Sequence, residues 1–360
     1  MLSAEDLKKY MFFRNFSNQA LSEIARRLDT VIITKGIKII KQNTPPDYFY
    51  FVIQGELEIT KRTKFGQDAI ITTIQSGEGF GEVALITSSH RQNTVTAKTD
   101  VTLYRLNKRD FEDITTMDST FKSLLQSKAK AVVTYNKIKT LQPLALLEPE
   151  KMITLMDKMT EKTFQPKETI ITIDEEGDFY YIIKKGKVSV IKRKNFVDKD
   201  SEMVEMAVLS DGEGFGEEAL IRDEPRGASI RAIDETTVLM LNKDDFNDIL
   251  KTSFIEFSFP DKITEGDIGR FVIIDSRTPI EYKEEHIEGA INIPLYELRH
   301  RYAELDKTVE YLTYSTNDSR GMAAAFLLAT QGFNAKNIKN GLNGWLGPVT
   351  CGSDGIYLPE

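Results

Sequence analysis

The sequence predicts a multidomain protein with two small β-roll domains, jelly-roll-like and flanked by helices, followed by one α/β domain with a parallel sheet. Three observations lead to this fold class. One stretch of sequence occurs twice, alternating runs rich in Ile, Val, Tyr and Phe surround both copies, and strands alternate with helices from about Phe254 onward. The 360 residues, 41% of them hydrophobic, suffice for three domains, which we place at residues 1–140, 141–252 and 253–360.

The internal repeat is the most informative feature of the chain. The segment SGEGFGEVALI at 76–86 recurs as DGEGFGEEALI at 211–221, 135 residues later. Downstream, VTLYRLNKRDFEDI matches TTVLMLNKDDFNDI at the same offset, whereas the upstream matches are 131 residues apart. The second copy therefore carries four extra residues, which we place in a charged hairpin loop at 195–205.

Each copy is predicted to combine short antiparallel strands with helices at its ends. Alternating apolar residues interrupted by glycines predict strands joined by turns. Asn107 and Asn242 can each cap a helix that begins at the following lysine. After the first copy the helical pattern continues over about 118–140, whereas after the second it stops near Lys251. A roll of this kind is suited to enclosing a ligand.

The last segment has a different pattern. RFVIIDSR at 270–277 predicts a hydrophobic strand, and MAAAFLLATQGF predicts a helix from Met322 to Gly332. Strands that alternate with helices indicate a parallel sheet.

Composition excludes several classes of function. A single cysteine, Cys351, cannot form an internal disulfide, and with only three scattered histidines the chain is predicted to hold no metal. A formal net charge of -8 argues against DNA as a partner. No stretch is long enough to cross a bilayer and the first residues lack a signal peptide's hydrophobic region, which predicts a cytoplasmic protein without a membrane partner.

The repeated segment has the chemistry of a site for a ribose phosphate. In the second copy, FGEEALIRDEPRGASI, Gly216 lets the backbone approach a ligand, and EEAL can begin a short helical turn whose amides suit an anion. Arg226 follows Glu217 by nine residues, and Gly227 and Ala228 leave room for a bulky group. Because a carboxylate would weaken the binding of phosphate alone, we expect Glu217 to face a hydroxyl donor.

The pattern FGE-x-AL followed by PR-x-A-[ST] resembles the phosphate-binding cassette of cyclic nucleotide-binding domains. The resemblance implies a cyclic mononucleotide ligand and no other cofactor, with Arg226 on the cyclic phosphate and Glu217 on the ribose 2′-hydroxyl. Family members that prefer cyclic GMP often have threonine after the cassette arginine, where this chain has Gln92 and Gly227, so cyclic AMP (cAMP) is favoured over cyclic GMP (cGMP). The predicted site residues of the second copy are Phe215, Gly216, Glu217, Glu218, Ala219, Arg226, Gly227, Ala228 and Ser229.

The first copy carries a degenerate version of this cassette. His90, Gln92 and Asn93 stand where the second copy has proline, glycine and alanine. These larger polar side chains could block the phosphate or change the pocket, which leaves nucleotide binding by the first copy open. Its candidate site residues are Gly81, Glu82, Ala84, Arg91, Gln92 and Thr94.

The last segment resembles a rhodanese domain through VIIDSRTPIEYKEEHIEGAINIP and GFNAKNIKNGLNGW. The resemblance implies an anion-binding loop that usually reads Tyr-Cys-x-x-Gly-x-Arg-Ser. Here Ser315 stands in the cysteine position and Asp318 replaces the glycine, while Arg320 matches and could equally form a structural salt bridge. Because a hydroxyl neither ionises near neutral pH nor carries a persulfide, we expect a pseudoenzyme that contacts a protein partner or another domain.

These patterns predict a cyclic nucleotide receptor that signals allosterically through its rhodanese-like domain to an unidentified protein partner. Because the helix after the second copy is short, the base is expected to be covered either by a linker aromatic (Phe254, Phe257 or Phe259) or by a surface of the third domain. The three phenylalanines could equally be ordinary packing residues.

Several alternatives remain beside this reading. The chain could be a nucleotide-regulated sulfurtransferase or a related enzyme, or a scaffold with vestigial pockets. A transcription factor would require a helix-turn-helix after the roll, and a kinase regulatory subunit would require a dimerisation and inhibitory segment before the first roll. The long helix after the first copy could support a dimer or pack within the chain, so the oligomeric state stays open.

Overall fold

The chain divides into two compact units, Met1–Thr140 and Leu141–Glu360. The first unit contains one β-roll, and the second contains the other β-roll together with the α/β domain. The computed structural model describes residues 3–14, 16–194, 201–263 and 270–352.

The roll of the first unit contains two four-stranded antiparallel sheets around a core that includes Val52, Leu57 and Leu103. Its strands are β1 (Asp29–Ile33), β2 (Lys38–Ile40), β3 (Tyr48–Gln54), β4 (Leu57–Arg62), β5 (Asp68–Ile74), β6 (Gly79–Phe80), β7 (Thr94–Ala97) and β8 (Val101–Asn107). The sheets have the orders β1-β8-β3-β6 and β2-β7-β4-β5. The predicted strand-rich roll is therefore confirmed.

Helices flank this roll at both ends. The Asn107 side chain accepts a hydrogen bond from the Asp110 amide at 3.0 Å, and a helix follows it, as the sequence predicts. A longer helix then occupies the segment expected near 118–140. The helices of the first unit are α1 (Ala4–Lys8), α2 (Asn18–Arg27), α3 (Glu82–Ile86), α4 (Lys108–Met117) and α5 (Ser119–Lys139), with a 3-10 turn at Met11–Phe13.

The roll of the second unit repeats this strand order in β14-β11-β16-β9 and β10-β15-β12-β13. Its helices and strands are α6 (Pro149–Lys158), β9 (Thr160–Phe164), β10 (Thr169–Ile171), β11 (Phe179–Lys185), β12 (Lys187–Arg193), β13 (Met203–Ser210), β14 (Gly214–Phe215), α7 (Glu217–Arg222), β15 (Ser229–Ala232), β16 (Thr236–Asn242), α8 (Lys243–Asp245) and α9 (Thr252–Phe254). A 3-10 turn at Leu144–Leu146 and a π-helical turn at Phe246–Lys251 complete it. Strands β12 and β13 pair up to Arg193 and Met203, and residues 195–200 of the predicted insertion lie outside the described residues.

The α/β domain is built on a five-stranded parallel sheet in the order β17-β22-β21-β18-β20. The helix predicted from Met322 begins earlier, at Asp318, because the Asn317 side chain caps it through the Ser319 amide at 2.9 Å. The elements are β17 (Glu256–Ser258), β18 (Phe271–Asp275), α10 (Pro279–Glu284), β19 (His286–Ile287), β20 (Ile291–Asn292), α11 (Leu295–Leu298), β21 (Glu310–Tyr314), α12 (Asp318–Thr330), β22 (Asn334–Ile338), α13 (Gly341–Gly344) and β23 (Val349–Thr350), with 3-10 turns at Pro260–Lys262 and Tyr302–Glu304.

An aromatic cluster joins the roll and the α/β domain of the second unit. Phe326 of α12 is 1% exposed, and its ring lies 5.5 Å from Phe246, 6.0 Å from Phe254 and 6.3 Å from Tyr180, measured between ring centroids. The two domains of this unit therefore share a buried core. In the described part of the chain no helix has the length and apolar character needed to span a membrane.

Candidate binding site

The repeated segment of the second unit folds into strand β14, a left-handed turn and helix α7. Gly216 makes the turn with a φ of 89°, which L side chains rarely adopt. A Cβ at this position would also lie 3.0 Å from Arg226 Nη1 and 3.2 Å from the Phe179 carbonyl oxygen. The glycine is thus required both by the backbone conformation and by the close approach of Arg226.

Arg226 is a buried cation held mainly by backbone carbonyls. It is 4% exposed, and its guanidinium donates from Nη1 to the Gly216 carbonyl at 2.8 Å and from Nη2 to the Phe179 carbonyl at 2.7 Å. Asp178 is 3.5 Å from Nη2, but that carboxylate is 69% exposed. Because a buried charge is stable only with a close partner, this guanidinium favours an anion in the cavity beside it.

Glu217 lies beside Arg226 and is equally buried, at 5% exposed. Its Oε1 accepts a hydrogen bond from Arg299 Nη2 at 2.8 Å. Among the described residues, its Oε2 is buried without a hydrogen-bond partner. A buried carboxylate oxygen left unpaired is costly, so this atom is an acceptor for a donor that the described part of the protein does not supply.

A single cavity is lined by eight of the nine residues predicted for the second copy, all except Ser229. The Ser229 hydroxyl instead accepts a hydrogen bond from the Ile173 amide at 3.0 Å, which ties β15 to the segment just after β10. Gly227 adds the open space that the sequence suggests, because a Cβ there would meet nothing within 4 Å. The cavity therefore brings Arg226 and Glu217 together.

Glu218 lines the same cavity as a charged carboxylate. Burial opposes its ionisation, yet Lys192 at 3.7 Å and Arg222 at 2.8 Å hold the pKa of this carboxyl below its usual range. Its charge is thus balanced within the protein and leaves Arg226 available to a ligand.

The α/β domain contributes the rest of the cavity wall. None of the linker phenylalanines is among the described lining residues: Phe254 packs on Phe326, and Phe259 is 45% exposed. The sequence offered a surface of the third domain as the other possible cover, but it identified no residue there. The lining residues from this domain are Leu295, Tyr296, Arg299, His300 and Leu327.

The cassette of the first unit has the same internal geometry. Arg91 is 3% exposed and donates to the carbonyls of Gly81 at 2.7 Å and Tyr48 at 2.6 Å, with Asp47 Oδ1 at 2.8 Å. Gly81 has a φ of 89°, the value found for Gly216. The arginine and the turn of the first copy are therefore built as in the second.

Helix α5 covers the first cassette. Lys128 Nζ lies 3.1 Å from Oε1 of Glu82, which is 3% exposed, and the amide of buried Asn136 donates to Asn93 Oδ1 at 3.3 Å. The bulky Asn93 is thus engaged by α5. Of the remaining predicted residues, Ala84 is buried in α3, Gln92 is partly exposed, and the Thr94 hydroxyl accepts from the Gln42 amide at 3.1 Å.

The loop of the α/β domain that begins at Ser315 is closed on itself. The Ser315 hydroxyl, 1% exposed, donates to the Asn317 carbonyl at 2.6 Å and accepts from the Gly321 amide at 3.2 Å. Asp318 accepts from the Asn340 amide at 2.7 Å and lies 2.6 Å from Lys339 Nζ. These bonds occupy the Ser315 hydroxyl, the amides of Gly321 and Asn340, and the Lys339 ammonium.

Arg320 forms a bidentate ion pair with Glu281 at 2.8 and 2.5 Å. The guanidinium lowers the pKa of Glu281 to about 2, with Thr278 adding further hydrogen bonds. Of the two roles left open by the sequence, the structure shows Arg320 in a salt bridge. Buried His286 stacks on Tyr282.

Each of the two rolls encloses a buried arginine and a buried glutamate behind a glycine turn. These features are typical of β-roll domains that bind small molecules. A family model described as the cyclic nucleotide-binding domain matches residues 30–118 and 161–253, and a rhodanese-like domain model matches residues 260–347. The chain therefore belongs to the family of cyclic nucleotide-binding domain proteins and carries two such domains followed by a rhodanese-like domain. No group of three or more potential metal-ligating side chains occurs among the residues that the structure describes.

Regulatory subunits of protein kinases are similar to the tandem rolls. A cAMP-dependent protein kinase regulatory subunit from Dictyostelium discoideum is 30% identical over 67% of this chain and 71% of the relative. One from Candida albicans is 27% identical over 69% of this chain, which spans 49% of that relative. The regulatory domain of Toxoplasma gondii PKA, solved with cAMP, is 22% identical over 68% of this chain and 90% of that chain, with a TM-score of 0.31.

Proposed function

We propose that the chain is a cytoplasmic receptor for cyclic AMP that binds the nucleotide in its second roll. The observation that carries this proposal is Oε2 of Glu217, which has no hydrogen-bond partner among the described residues and lies in the same cavity as the buried guanidinium of Arg226. A cyclic ribose phosphate presents an anion and a hydroxyl donor on one ring. The phosphate would pair with Arg226, and the 2′-hydroxyl would donate to Glu217.

Two features support cyclic AMP over cyclic GMP. Gly227 follows Arg226 and offers no side chain that could bind the edge of guanine. The relatives from Dictyostelium discoideum and Candida albicans are cAMP-dependent by name.

Calorimetric titration of the nucleotide-stripped full chain with cyclic AMP, cyclic GMP and adenosine tests this proposal. We expect cyclic AMP to bind most tightly, cyclic GMP about tenfold more weakly, and adenosine weakest because it has no phosphate for Arg226. Cyclic AMP at ~100 times its dissociation constant should also stabilise the fold by roughly 2.7 kcal/mol. Adenosine binding as tight as cyclic AMP would contradict the phosphate contact, and no heat with either cyclic nucleotide would refute the receptor.

The rhodanese-like domain is proposed to act without catalysis and to transmit the nucleotide signal. Ser315 replaces the expected nucleophile, and the loop around it is filled by its own hydrogen bonds. The domain shares its core with the nucleotide-binding roll, so two arrangements of this unit that differ in nucleotide affinity would present different surfaces to a partner. A scaffold with vestigial pockets would lack this coupling.

A thiosulfate:cyanide sulfurtransferase assay distinguishes the receptor from a nucleotide-regulated enzyme. We expect no activity above that of a buffer blank, with or without saturating cyclic AMP, because a serine hydroxyl does not form a persulfide. The Cys351→Ser variant is the matched control, since it removes the chain's single thiol, which is exposed. Turnover that cyclic AMP modulates and that this variant loses would favour the enzyme.

A protein kinase catalytic subunit is a candidate for the unidentified partner. The similarity of the tandem rolls to kinase regulatory subunits supports this proposal, although the chain spans only part of those relatives. We propose that the chain releases or retains this kinase partner depending on whether cyclic AMP occupies the second roll.

A further inference from the structure

In the first unit the cassette glutamate is held by a cation from α5, the second of the two helices that follow the roll. Lys128 of α5 lies 3.1 Å from Glu82 Oε1 and donates to the Gly79 carbonyl at 3.3 Å. One cationic side chain thus bridges the glutamate and the strand just before it. The bridge lies within the nucleotide-binding domain itself.

In the second unit the equivalent two acceptors are held by a different part of the chain. Arg299 Nη2 donates to Glu217 Oε1 at 2.8 Å and to the Gly214 carbonyl at 3.0 Å. Both acceptors are 135 residues beyond their counterparts in the first copy, the offset of the repeat. Arg299, however, follows α11 of the rhodanese-like domain.

The short helical segment after the second roll explains why Arg299 of the rhodanese-like domain binds Glu217, whereas Lys128 of α5 binds the equivalent Glu82. It ends at Phe254 and the chain continues into β17, so no helix of this segment reaches the position that α5 occupies in the first unit. The rhodanese-like domain fills that position and adds Tyr296 and His300 to the cavity wall.

A second contact joins the same domain to the opposite end of the cassette helix. Arg222, in the last turn of α7, donates from Nε to the Ser319 hydroxyl at 3.3 Å. Ser319, in the first turn of α12, stands at a position that belongs to the anion-binding loop in the rhodanese pattern. The rhodanese-like domain therefore contacts helix α7 at Glu217, where the helix begins, and at Arg222, where it ends.

We infer that the rhodanese-like domain completes the second nucleotide site, and that Arg299 is a positioning residue for Glu217. By binding Oε1, Arg299 leaves Oε2 directed at the ribose hydroxyl and balances the carboxylate charge near the phosphate. This inference rests on the proposed function and deepens it. Nucleotide affinity and the docking of the rhodanese-like domain are then linked, and each strengthens the other by the same factor.

Titrating full-length variants with cyclic AMP and 2′-deoxy cyclic AMP tests the role of Arg299. The wild type should prefer cyclic AMP by about tenfold, the value of one hydrogen bond to a charged group. Arg299→Gln should weaken both nucleotides, because the Glu217 charge near the phosphate is no longer balanced, but it should weaken cyclic AMP by about a further tenfold, which removes the preference. Arg299→Lys should retain part of the preference for cyclic AMP over 2′-deoxy cyclic AMP. Arg301→Gln is the matched control. The Arg301 guanidinium pairs with Glu304 and not with Glu217, so this variant should behave as the wild type.

Two failures are distinguishable in this experiment. Absence of cyclic AMP binding by the wild type would overturn the proposed function. An undiminished preference in Arg299→Gln, with wild-type binding intact, would overturn the inference alone. If Arg299→Gln does not fold, hydrogen exchange of the wild type decides: slower exchange of residues 295–300 with saturating cyclic AMP supports the inference, and unchanged exchange overturns it.

Discussion

Replacing Arg226 by alanine is expected to weaken cyclic AMP binding to the second roll by about 100-fold or more. The guanidinium is 4% exposed, so its bonds to a phosphate would form out of water. Removing one partner of a buried ion pair costs about 3–5 kcal/mol, and each 1.4 kcal/mol is about a tenfold change in affinity. Calorimetry of the full chain measures the change.

Two variants separate lost phosphate binding from a damaged turn. Arg231→Ala removes an exposed arginine from β15, the strand that follows Arg226, and should leave binding unchanged. Arg226→Lys keeps the charge but not the pair of bonds to Gly216 and Phe179, so an intermediate loss is expected. A loss of about 3 kcal/mol corresponds to a change in affinity of about 100-fold. Binding of cyclic AMP by Arg226→Ala within about threefold of the wild type would therefore contradict the assignment of Arg226 to the phosphate.

The stoichiometry of the same titration shows whether the first roll binds nucleotide. Arg91→Ala is the counterpart of the Arg226 variant, because both arginines hold the equivalent carbonyls. If the first roll binds nucleotide, this variant removes one of two equivalents. If the contact of α5 with Asn93 keeps the site closed, the wild type binds one equivalent and Arg91→Ala does not change it.

The cassette could be predicted from sequence because its geometry is local. The glycine turn, the glutamate after it and the arginine nine residues later are fixed by a short segment, and the repeat shows the pattern twice. Ser229 is an exception: the pattern predicts it in the site, but its hydroxyl accepts a hydrogen bond from the Ile173 amide, just after β10. That competition between a ligand and the backbone is decided by tertiary contacts.

The rest of the site could not be predicted because it comes from another domain. Tyr296 lies in a short helix of the rhodanese-like domain and Arg299 directly follows it, and nothing in their local pattern points to a nucleotide. The short helix after the second roll indicated that the site lacked a cover. In the first unit Lys128 of α5 binds Glu82, as Arg299 binds Glu217 in the second. Only the docking of the two domains identifies the residue that replaces it.

Replacing Phe326 by alanine is expected to destabilise the second unit by about 3–5 kcal/mol, the usual effect of removing a buried phenylalanine ring. Phe326 contacts Phe246 and Tyr180 of the roll as well as its own domain, so the cavity would open in a core that both domains share. Urea unfolding followed by the fluorescence of Trp345, the chain's single tryptophan, and by circular dichroism measures the free energy of unfolding.

Two controls show whether the loss arises from packing between the domains. Phe326→Leu keeps most of the buried volume and should cost less than about 1.5 kcal/mol. Ile280→Ala, at a side chain that is 72% exposed in the same domain, should stay within about 0.5 kcal/mol of the wild type. Because the roll and the rhodanese-like domain share this core, both signals should shift together in Phe326→Ala. A shift in the Trp345 signal alone would mean that the rhodanese-like domain unfolds independently, and docking would then not couple it to the nucleotide site.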